Sequence, residues 1–327
     1  MNQTYIDVKN LRYGSILIMA NKDENSSYIK GSIINFIHSL WPSLIKLKGF
    51  IREFITPIIK ANKNNEIISF YSLKEYNKWI SIQGKEIKNW NIKYYKGLGS
   101  FNINEIQDYF SDIQRHILDY EYKNEKDDEI IDIFFNKNKS EERKNLYINY
   151  EPNENIPSQD FDFDGVNKIS FNDFFNKELI LYPMSDNQRS IPSICDGLKP
   201  SERKVLYGCF KKNLKNEIKV SKLIGYIIEQ TLYKYGETSA GATIIAMSQN
   251  FTGSNNINLL KPNGQFGTRY YGGRDASNTN SIYTKLNNIT KYIYNENDFP
   301  LMDYIIEEGQ KIEPKWYLPI IPMILVN

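Results

Sequence analysis

The chain has 327 residues, of which 41% are hydrophobic, 14% aromatic and 24% charged. This composition is sufficient for two domains with hydrophobic cores, and it excludes a disordered chain. Lys and Arg number 41 and Asp and Glu 39, which excludes a strongly basic tail but not a local basic patch. Cys195 and Cys209 provide neither a disulfide framework nor a CxxC metal motif. No run of 18 apolar residues and no secretory leader occurs, so we expect an intracellular protein without a membrane partner.

The first part of the chain alternates predicted strands with predicted helices. An apolar run at 15–19 predicts a buried strand, and a polar loop at 21–27 follows it. Apolar residues then recur at helical spacing from Ile29 to Leu40. Further strands are predicted at 50–59, 66–71 and 90–95, and a further helix at 103–118. The alternation favours an α/β domain with a largely parallel sheet, whose chemistry lies in the loops at the carboxyl ends of the strands.

The second part of the chain changes to predicted helices after a charged segment and a linker. Residues 123–145 are dense in charge and predict a helical connector rather than a core, and 151–164 lack periodicity. Helices are predicted at 174–181, 201–210, 220–233 and 240–250, before glycine-marked turns and short strands. We therefore predict domains at 1–122 and 171–327, with the connector and linker at 123–170 between them. No internal repeat is found.

Several long motifs resemble eukaryotic-type DNA topoisomerase II, a type IIA topoisomerase, colinearly from about Leu11 to Asn327. The TOPRIM part is matched by RYGSILIMA, IKGSIINFIHSLWPSLIKLKGFIREFITPIIK and KYYKGLGS. The DNA-gate part is matched by ELILYPMSDNQRSIPSICDGLKPSERKVLYGCFKKN, SQNFTGSNN, PNGQFGTR and EPKWYLPIIPMILVN. The resemblance implies an α/β TOPRIM-like domain followed by a mainly α winged-helix domain, α+β overall.

The resemblance also implies an activity and its cofactors. The family cleaves both strands of a duplex with a pair of tyrosines, passes a second duplex through the break using ATP, and reseals it. Its TOPRIM domain holds Mg²⁺ on acidic residues. By this alignment the first acidic motif of that domain would lie before Met1, no ATP site falls within the chain, and Asn327 lies at the start of the tower region.

The predicted metal loop has lost most of its carboxylates. Phosphoryl transfer requires hard oxygen ligands for Mg²⁺, which the family supplies as D-x-D-x-D-G after the first strand. The aligned residues here are Asn21, Asp23 and Asn25, so Asp23 is the only acidic residue left at the three positions. The loop is either an ordinary polar connection or a weakened Mg²⁺ site with one carboxylate.

The residues that perform cleavage in the family are also replaced. A tyrosine phenolate is needed to attack phosphorus and leave a phosphotyrosyl ester. The catalytic tyrosine of the family aligns with Ser281 and its neighbouring arginine with Asn280, while the HHGE histidine aligns with Tyr235. Tyr283 aligns with an aromatic residue that the family already has, and on a helix it would point about 200° away from Ser281. Core packing is therefore favoured for Tyr283 over rescue of catalysis.

In contrast, the basic residues that the resemblance places on DNA are retained. They are Arg189, Lys199, Arg203, Lys204, Lys96 and Arg269. A helix predicted to begin at Pro200 would direct its N-terminus at a phosphate, and Lys211 to Lys222 would extend its cationic face. An ordinary solvated helix face is the alternative interpretation of such a run of charges.

These patterns predict a degenerate topoisomerase II core that binds duplex DNA without cleaving it, in the nucleus by resemblance. Two alternatives remain open. The chain is a subunit of an active topoisomerase II in which another chain supplies the catalytic residues, or it is the product of a non-functional gene. A homodimer and a heterodimer with a full-length topoisomerase II are both compatible with the sequence.

Overall fold

A computed structural model describes residues 4–21, 23–64, 66–71, 73–95, 97–150, 167–307 and 309–327. The chain divides into two compact units, Met1–Ser185 and Asp186–Asn327. The predicted domain limits at 1–122, 123–170 and 171–327 stay a prediction, and the predicted linker at 151–164 lies outside the described residues.

Short strands and longer helices alternate in the first unit, as the sequence predicts. Its strands are β1 (Ile16–Ile18), β2 (Ile51–Phe54), β3 (Ile59–Lys63), β4 (Glu66–Phe70), β5 (Asn91–Tyr94), β6 (Ile117–Glu121) and β7 (Asn167–Ser170). Its helices are α1 (Glu24–Leu40), α2 (Pro42–Ile45), α3 (Leu73–Gln83), α4 (Ile103–Ser111), α5 (Glu125–Phe135), α6 (Ser140–Ile148) and α7 (Phe171–Phe174). A π-helical turn at Phe175–Leu179 follows α7 and leads into α8 (Leu181–Ser190), in which the division between the units falls.

The first unit has one mixed and one antiparallel sheet, which corrects the expectation of a largely parallel sheet. One sheet has the order β1-β2-β6-β7, in which β2 and β6 are antiparallel and the other two pairs are parallel. A second sheet, β4-β3-β5, is entirely antiparallel. The helix predicted at 103–118 ends at Ser111, because a 3-10 turn at Ile113–His116 follows it and Ile117 begins β6.

The core of the first unit lies between α1, the mixed sheet, α5 and the segment around α7. Ile34, Tyr120, Phe171 and Phe174 are at most 1% exposed within it. Burial of each such side chain contributes about 1.5–3 kcal/mol. Helix α5 also contributes Ile131, which is fully buried, so this part of the predicted connector belongs to the core.

The second unit is built on three helices packed against a small antiparallel sheet. Its helices are α9 (Pro200–Lys211), α10 (Val220–Thr231), α11 (Glu237–Ser248), α12 (Thr290–Ile293) and α13 (Met323–Val326). Its strands are β8 (Ile218–Lys219), β9 (Leu260–Asn263), β10 (Tyr283–Leu286), β11 (Tyr304–Glu307) and β12 (Gln310–Pro314). The sheet order is β8-β10-β9, and β11 and β12 form a separate hairpin.

The three longer helices of the second unit begin and end within a few residues of their predicted limits. Their inner faces bury Leu206, Leu223, Ile227 and Ile244, all fully inaccessible to solvent. Together with Leu260 of β9 they form one core that holds the loop between β9 and β10 at the sheet's end. Across the described ranges, no helix is long and apolar enough to cross a bilayer.

Candidate nucleic-acid interface and the positions of the catalytic residues

In the loop after β1, Asp23 is the one carboxylate at the three positions aligned with the family's aspartates, and it caps the helix that follows. Asp23 is the N-cap of α1, and its Oδ1 accepts a hydrogen bond of 2.7 Å from the backbone N–H of Ser26. Such a bond satisfies one of the N–H groups that the first turn of a helix leaves unpaired. Asn21 lies so close to Gly97 that a Cβ at Gly97 would collide with the Asn21 amide.

The donor set of this loop does not fit a magnesium ion. Mg²⁺ prefers carboxylate oxygens, and here Asn21 and Asn25 are neutral while Asp23 already accepts a helix N–H. Among the residues that the structure describes, no group of three or more His, Cys, Asp or Glu side chains could hold a metal ion. The arrangement therefore functions as a helix cap, and no chemical step is assigned to a metal.

Two other acidic side chains of the first unit, Glu53 and Glu178, pair with a buried cation on α1. Lys30, with a 2% exposed side chain, donates to Glu53 Oε1 at 2.9 Å and also to Glu178 Oε1. Tyr120 Oη donates to Glu53 Oε2 at 2.7 Å, and Ser27 Oγ donates to Glu178 Oε1 at 2.7 Å. Burial alone would lower the pKa of Lys30, but the two carboxylates hold it above its ordinary value.

Ser281, which the sequence analysis aligns with the family's catalytic tyrosine, lies just before β10, in the loop between β9 and β10. Ser281 is exposed, and its backbone N–H donates to Asn278 O at 2.8 Å. The neighbouring Asn280 is also exposed and its N–H donates to Asn278 Oδ1 at 2.9 Å. Neither side chain supplies the phenol or the guanidinium that cleavage uses in the family.

The structure corrects the geometric argument about Tyr283, because this residue begins a strand and not a helical turn. It pairs with Lys219 of β8 and Asn263 of β9, and it is 41% exposed. Ile282 is buried at 1% between the exposed Ser281 and Tyr283. Tyr283 is therefore exposed and does not fill the core.

The structure brings Arg189 and Tyr235 together. The Arg189 guanidinium lies 5.6 Å from the centre of the Tyr235 ring and is paired with Asp186 at 2.7 Å. Tyr235 is half-buried and packs at a right angle on Tyr233. Tyr235, which the sequence analysis aligns with a family histidine, thus provides an aromatic ring against which Arg189 packs, and this contact stabilises both side chains.

Arg203 and Lys204 are buried, which corrects the prediction that they extend an exposed cationic face. Arg203 makes two bonds to the carboxylate of Asp196, at 2.7 and 2.9 Å, and Asp196 is fully buried. Lys204 Nζ donates to Thr231 O and to Glu313 Oε2, both at 2.8 Å. Both cations are 6% exposed. Their charges are neutralised inside the unit, because an unpaired buried charge would be costly.

Asp196 connects distant parts of the second unit through its side chain and its backbone. Besides Arg203, its side chain accepts from the backbone N–H groups of Leu198 at 3.0 Å and Tyr317 at 2.9 Å. Its backbone oxygen accepts from Tyr294 Oη at 3.0 Å. The motif that resembles a DNA-contacting segment therefore also holds the fold of the unit together.

Exposed cations nevertheless remain on the second unit. Lys199 caps the start of α9 and is half-buried, and its backbone N–H donates to Glu202 at 2.9 Å. Seven of the exposed members are here called the exposed cation set: Lys211, Lys212, Lys215, Lys222, Lys261, Arg269 and Arg274. Lys96 lies outside the described residues. The DNA contacts of all these residues stay a prediction.

The sequence analysis missed a pair of tyrosines beside Arg269. Tyr270 is 87% exposed and Tyr271 is 60% exposed, and their ring centres are 4.8 Å apart at an interplanar angle of 84°. The signal was present as two consecutive aromatic residues between an arginine and two glycines. Such a pair does not stand out in a chain that contains 24 tyrosines.

Comparisons with known proteins agree along the whole chain. A family model described as the A subunit of DNA gyrase/topoisomerase IV matches residues 189–327, and one described as the C-terminal associated domain of TOPRIM matches residues 54–187. DNA topoisomerase 2 of Arabidopsis thaliana is 47% identical over all of the chain, and that of Plasmodium falciparum is 49% identical over 98% of it. In each case the chain spans 22% of the relative's length.

A solved structure gives the same result. The DNA-binding, cleavage and re-ligation domain of Plasmodium falciparum topoisomerase II superposes with a TM-score of 0.85 and 48% identity, covering 100% of this chain and 44% of that one. Together with the colinear motifs and the mixed α+β architecture, these matches show that the chain belongs to the type IIA DNA topoisomerase family, in the region of its DNA-gate core.

Proposed function

We propose that this chain binds duplex DNA through the exposed cation set of its second unit and does not cleave it. The observation that carries the proposal is a contrast within one unit. Exposed basic side chains are retained, whereas the positions for cleavage hold Ser281, Asn280 and Tyr235. Binding to phosphates requires only exposed cations, and cleavage requires an activated nucleophile.

The proposal assigns different roles to the basic residues predicted from the sequence. Lys199 and Arg269 are assigned to phosphate contact, with Arg189 held in place by Asp186 and Tyr235. Arg203 and Lys204 are assigned to positioning, because their charged ends are paired inside the unit. We further propose that the two units correspond to a TOPRIM-like and a winged-helix arrangement and that the protein acts in the nucleus as a dimer.

Duplex binding is tested by fluorescence anisotropy with a labelled duplex at low and at moderate salt. A variant with Lys211, Lys212 and Lys215 changed to Gln should bind more weakly, and the slope of log affinity against log salt should fall by about 0.9 for each phosphate that is no longer neutralised. The matched control changes Lys126, Lys137 and Lys144 of the first unit to Gln. These lysines are also exposed, and their replacement should leave the slope unchanged.

The absence of cleavage is tested by trapping covalent protein–DNA adducts with sodium dodecyl sulfate in the presence of Mg²⁺. We expect no adduct. An adduct that disappears in Tyr283→Phe would show that this exposed tyrosine performs cleavage, and one that disappears in Ser281→Ala would assign the step to the serine. Either result contradicts the proposal, and so does a chain that folds by circular dichroism but fails to bind a duplex at low salt.

A further inference from the structure

The loop between β9 and β10 holds two tyrosine rings away from the protein on a fixed backbone. Asp275 accepts from the N–H of Thr268 at 2.8 Å and from its hydroxyl at 2.9 Å, and these bonds lower the pKa of the Asp275 carboxyl. Gly273 N donates to Thr268 O at 2.9 Å, and Gln249 Nε2 donates to Phe266 O at 2.9 Å. The loop is thus braced from both ends.

Close backbone contact fixes the same loop across its base. Gly267 has φ +96° and Gly273 has φ +80°, values that favour glycine. A Cβ at Gly267 would lie 2.6 Å from the backbone of Gly273, so the two sides of the loop can approach only without side chains. The rings of Tyr270 and Tyr271 are presented by a preorganised turn, which limits the entropy lost on binding.

The chemistry of this tip is aromatic and cationic. Arg269 and Arg274 flank the two rings in sequence and are exposed, while the carboxylate of Asp275 is bonded to Thr268. The rings meet edge to face, so each leaves a face open to a flat partner. Aromatic faces with guanidinium groups beside them fit a planar base joined to a phosphate, because stacking and charge attraction then act together.

An intact duplex does not offer such a partner, since both faces of each internal base are covered by neighbouring base pairs. We infer that Tyr270 and Tyr271 stack on unpaired bases of DNA, so that this loop gives the chain a preference for locally melted over fully paired DNA. This inference rests on the proposed function in taking DNA as the ligand. It adds the kind of DNA and the residues that select it.

The test compares a fully paired duplex with one of the same length that carries a central bubble of unpaired bases, one of them 2-aminopurine. The intact 327-residue chain should bind the bubble more tightly and should quench the 2-aminopurine fluorescence on binding. The double variant Tyr270→Ser/Tyr271→Ser should lose about tenfold in affinity for the bubble and most of the quenching, with little change for the paired duplex. Tyr270→Phe/Tyr271→Phe should keep both, because a phenyl ring also stacks.

Tyr292→Ser is the matched control, since Tyr292 is 75% exposed in the same unit and lies outside the loop. Three results would each overturn the inference. The wild type could bind the two DNAs with equal affinity, the double Ser variant could lose equal affinity for both DNAs, or the double Phe variant could lose the preference for the bubble. A double Ser variant with unchanged DNA binding, the result expected of a protein-docking surface, would overturn it too. If the wild type binds the bubble through these rings but fails to bind the paired duplex, the proposed function fails and this inference stands.

Discussion

Each unit of the molecule buries a cation among carboxylates, and the two clusters are built differently. In the first unit, one ammonium at Lys30 serves Glu53 and Glu178, whose side chains are 14% and 27% exposed. In the second unit, Arg203 and Asp196 form a one-to-one pair whose side chains are 7% and 0% exposed. The first cluster therefore carries one excess negative charge, which is possible because its two carboxylates remain partly exposed to water. The second cluster is shielded from water, so its charges must balance.

The basic residues of the second unit are divided between buried pairs and the surface. Arg203 and Lys204 stand in a segment that the sequence analysis predicts to contact DNA, yet their partners lie inside the unit. The exposed cation set, in contrast, lies mostly after α9 and in the loops. A basic residue in the sequence therefore does not show by itself whether it stabilises the fold or lies exposed on the surface. That depends on its partner in the structure.

The largest loss of stability should follow from breaking the buried pair between Arg203 and Asp196. Asp196→Ala should lower the free energy of unfolding by about 3–5 kcal/mol, because it leaves the Arg203 guanidinium buried without a partner. The measurement is urea unfolding followed by circular dichroism. Glu296→Ala is the control, as it removes an exposed pair with Lys291 and should cost less than about 1 kcal/mol. Equal losses in the two variants would contradict the difference in burial.

A smaller effect is expected in the first unit. Lys30→Met should cost about 2–3 kcal/mol, since Glu53 and Glu178 lose their cation but retain some contact with water. The same urea titration measures it. A loss greater than that of Asp196→Ala would reverse the order of the two clusters. Lys46→Met is the control, because Lys46 is 48% exposed where it pairs with Asp128.

A third cluster, around Glu105 in the first unit, makes the stability of the fold depend on pH. Burial opposes ionisation of Glu105, but hydrogen bonds from the Tyr95 hydroxyl and the Asn102 N–H, with Lys93 and Lys60 nearby, lower its pKa to about 2. A depressed carboxyl pKa stabilises the fold above the unfolded value of 4.5, and this stabilisation is lost as pH falls from there towards about 2.

Removing the Glu105 carboxylate tests the direction of this pH dependence. Glu105→Gln should be less stable than the wild type at neutral pH, on the order of 2 kcal/mol, and the two should converge as the solution is acidified. Thermal unfolding across the acid range measures the difference. A gap that widens towards low pH would have the wrong sign. Glu142→Gln is the control on an exposed pair with Lys139.

The smallest effect concerns the loop after β1. Addition of about 10 mM MgCl₂ should move the melting temperature of the wild type by less than about 1 °C, because a ligand stabilises a fold only where it binds. In a variant with Asn21→Asp and Asn25→Asp, MgCl₂ should raise the melting temperature by more than in the wild type, and a chelator should reverse this increase. A shift in the wild type that Asp23→Asn abolishes would show that the loop holds a metal after all.

Much of the fold could be predicted from local patterns. The limits of α9, α10 and α11 follow from apolar residues at helical spacing between Pro200 and Ser248, and β1 follows from a short apolar run. The end of α4 could not be predicted, because Ile117 and Leu118 continue the helical pattern by chance. Their burial on β6 depends on pairing with β2, a contact that the local sequence does not contain.

The site divides in the same way. Replacement of the cleavage residues by Ser281 and Asn280 is predicted from the aligned motifs and stays a prediction. Burial of Lys204 could not, because its partner Glu313 is 109 residues away. The strand conformation of Tyr283 also depends on distant pairing, with Lys219 and Asn263. Exposure and partners are tertiary properties, whereas residue identity is not.

Asp196 has a consequence for the order of events during protein synthesis. Its partners Tyr294 and Tyr317 lie 98 and 121 residues later in the chain. At about 5–20 residues per second, a ribosome needs roughly 6–24 s to add the longer of these intervals. During that time Arg203 and Asp196 have been made but the groups that enclose them have not. The second unit therefore completes its interior late in translation, and variants at Asp196 should burden chaperones already at that stage.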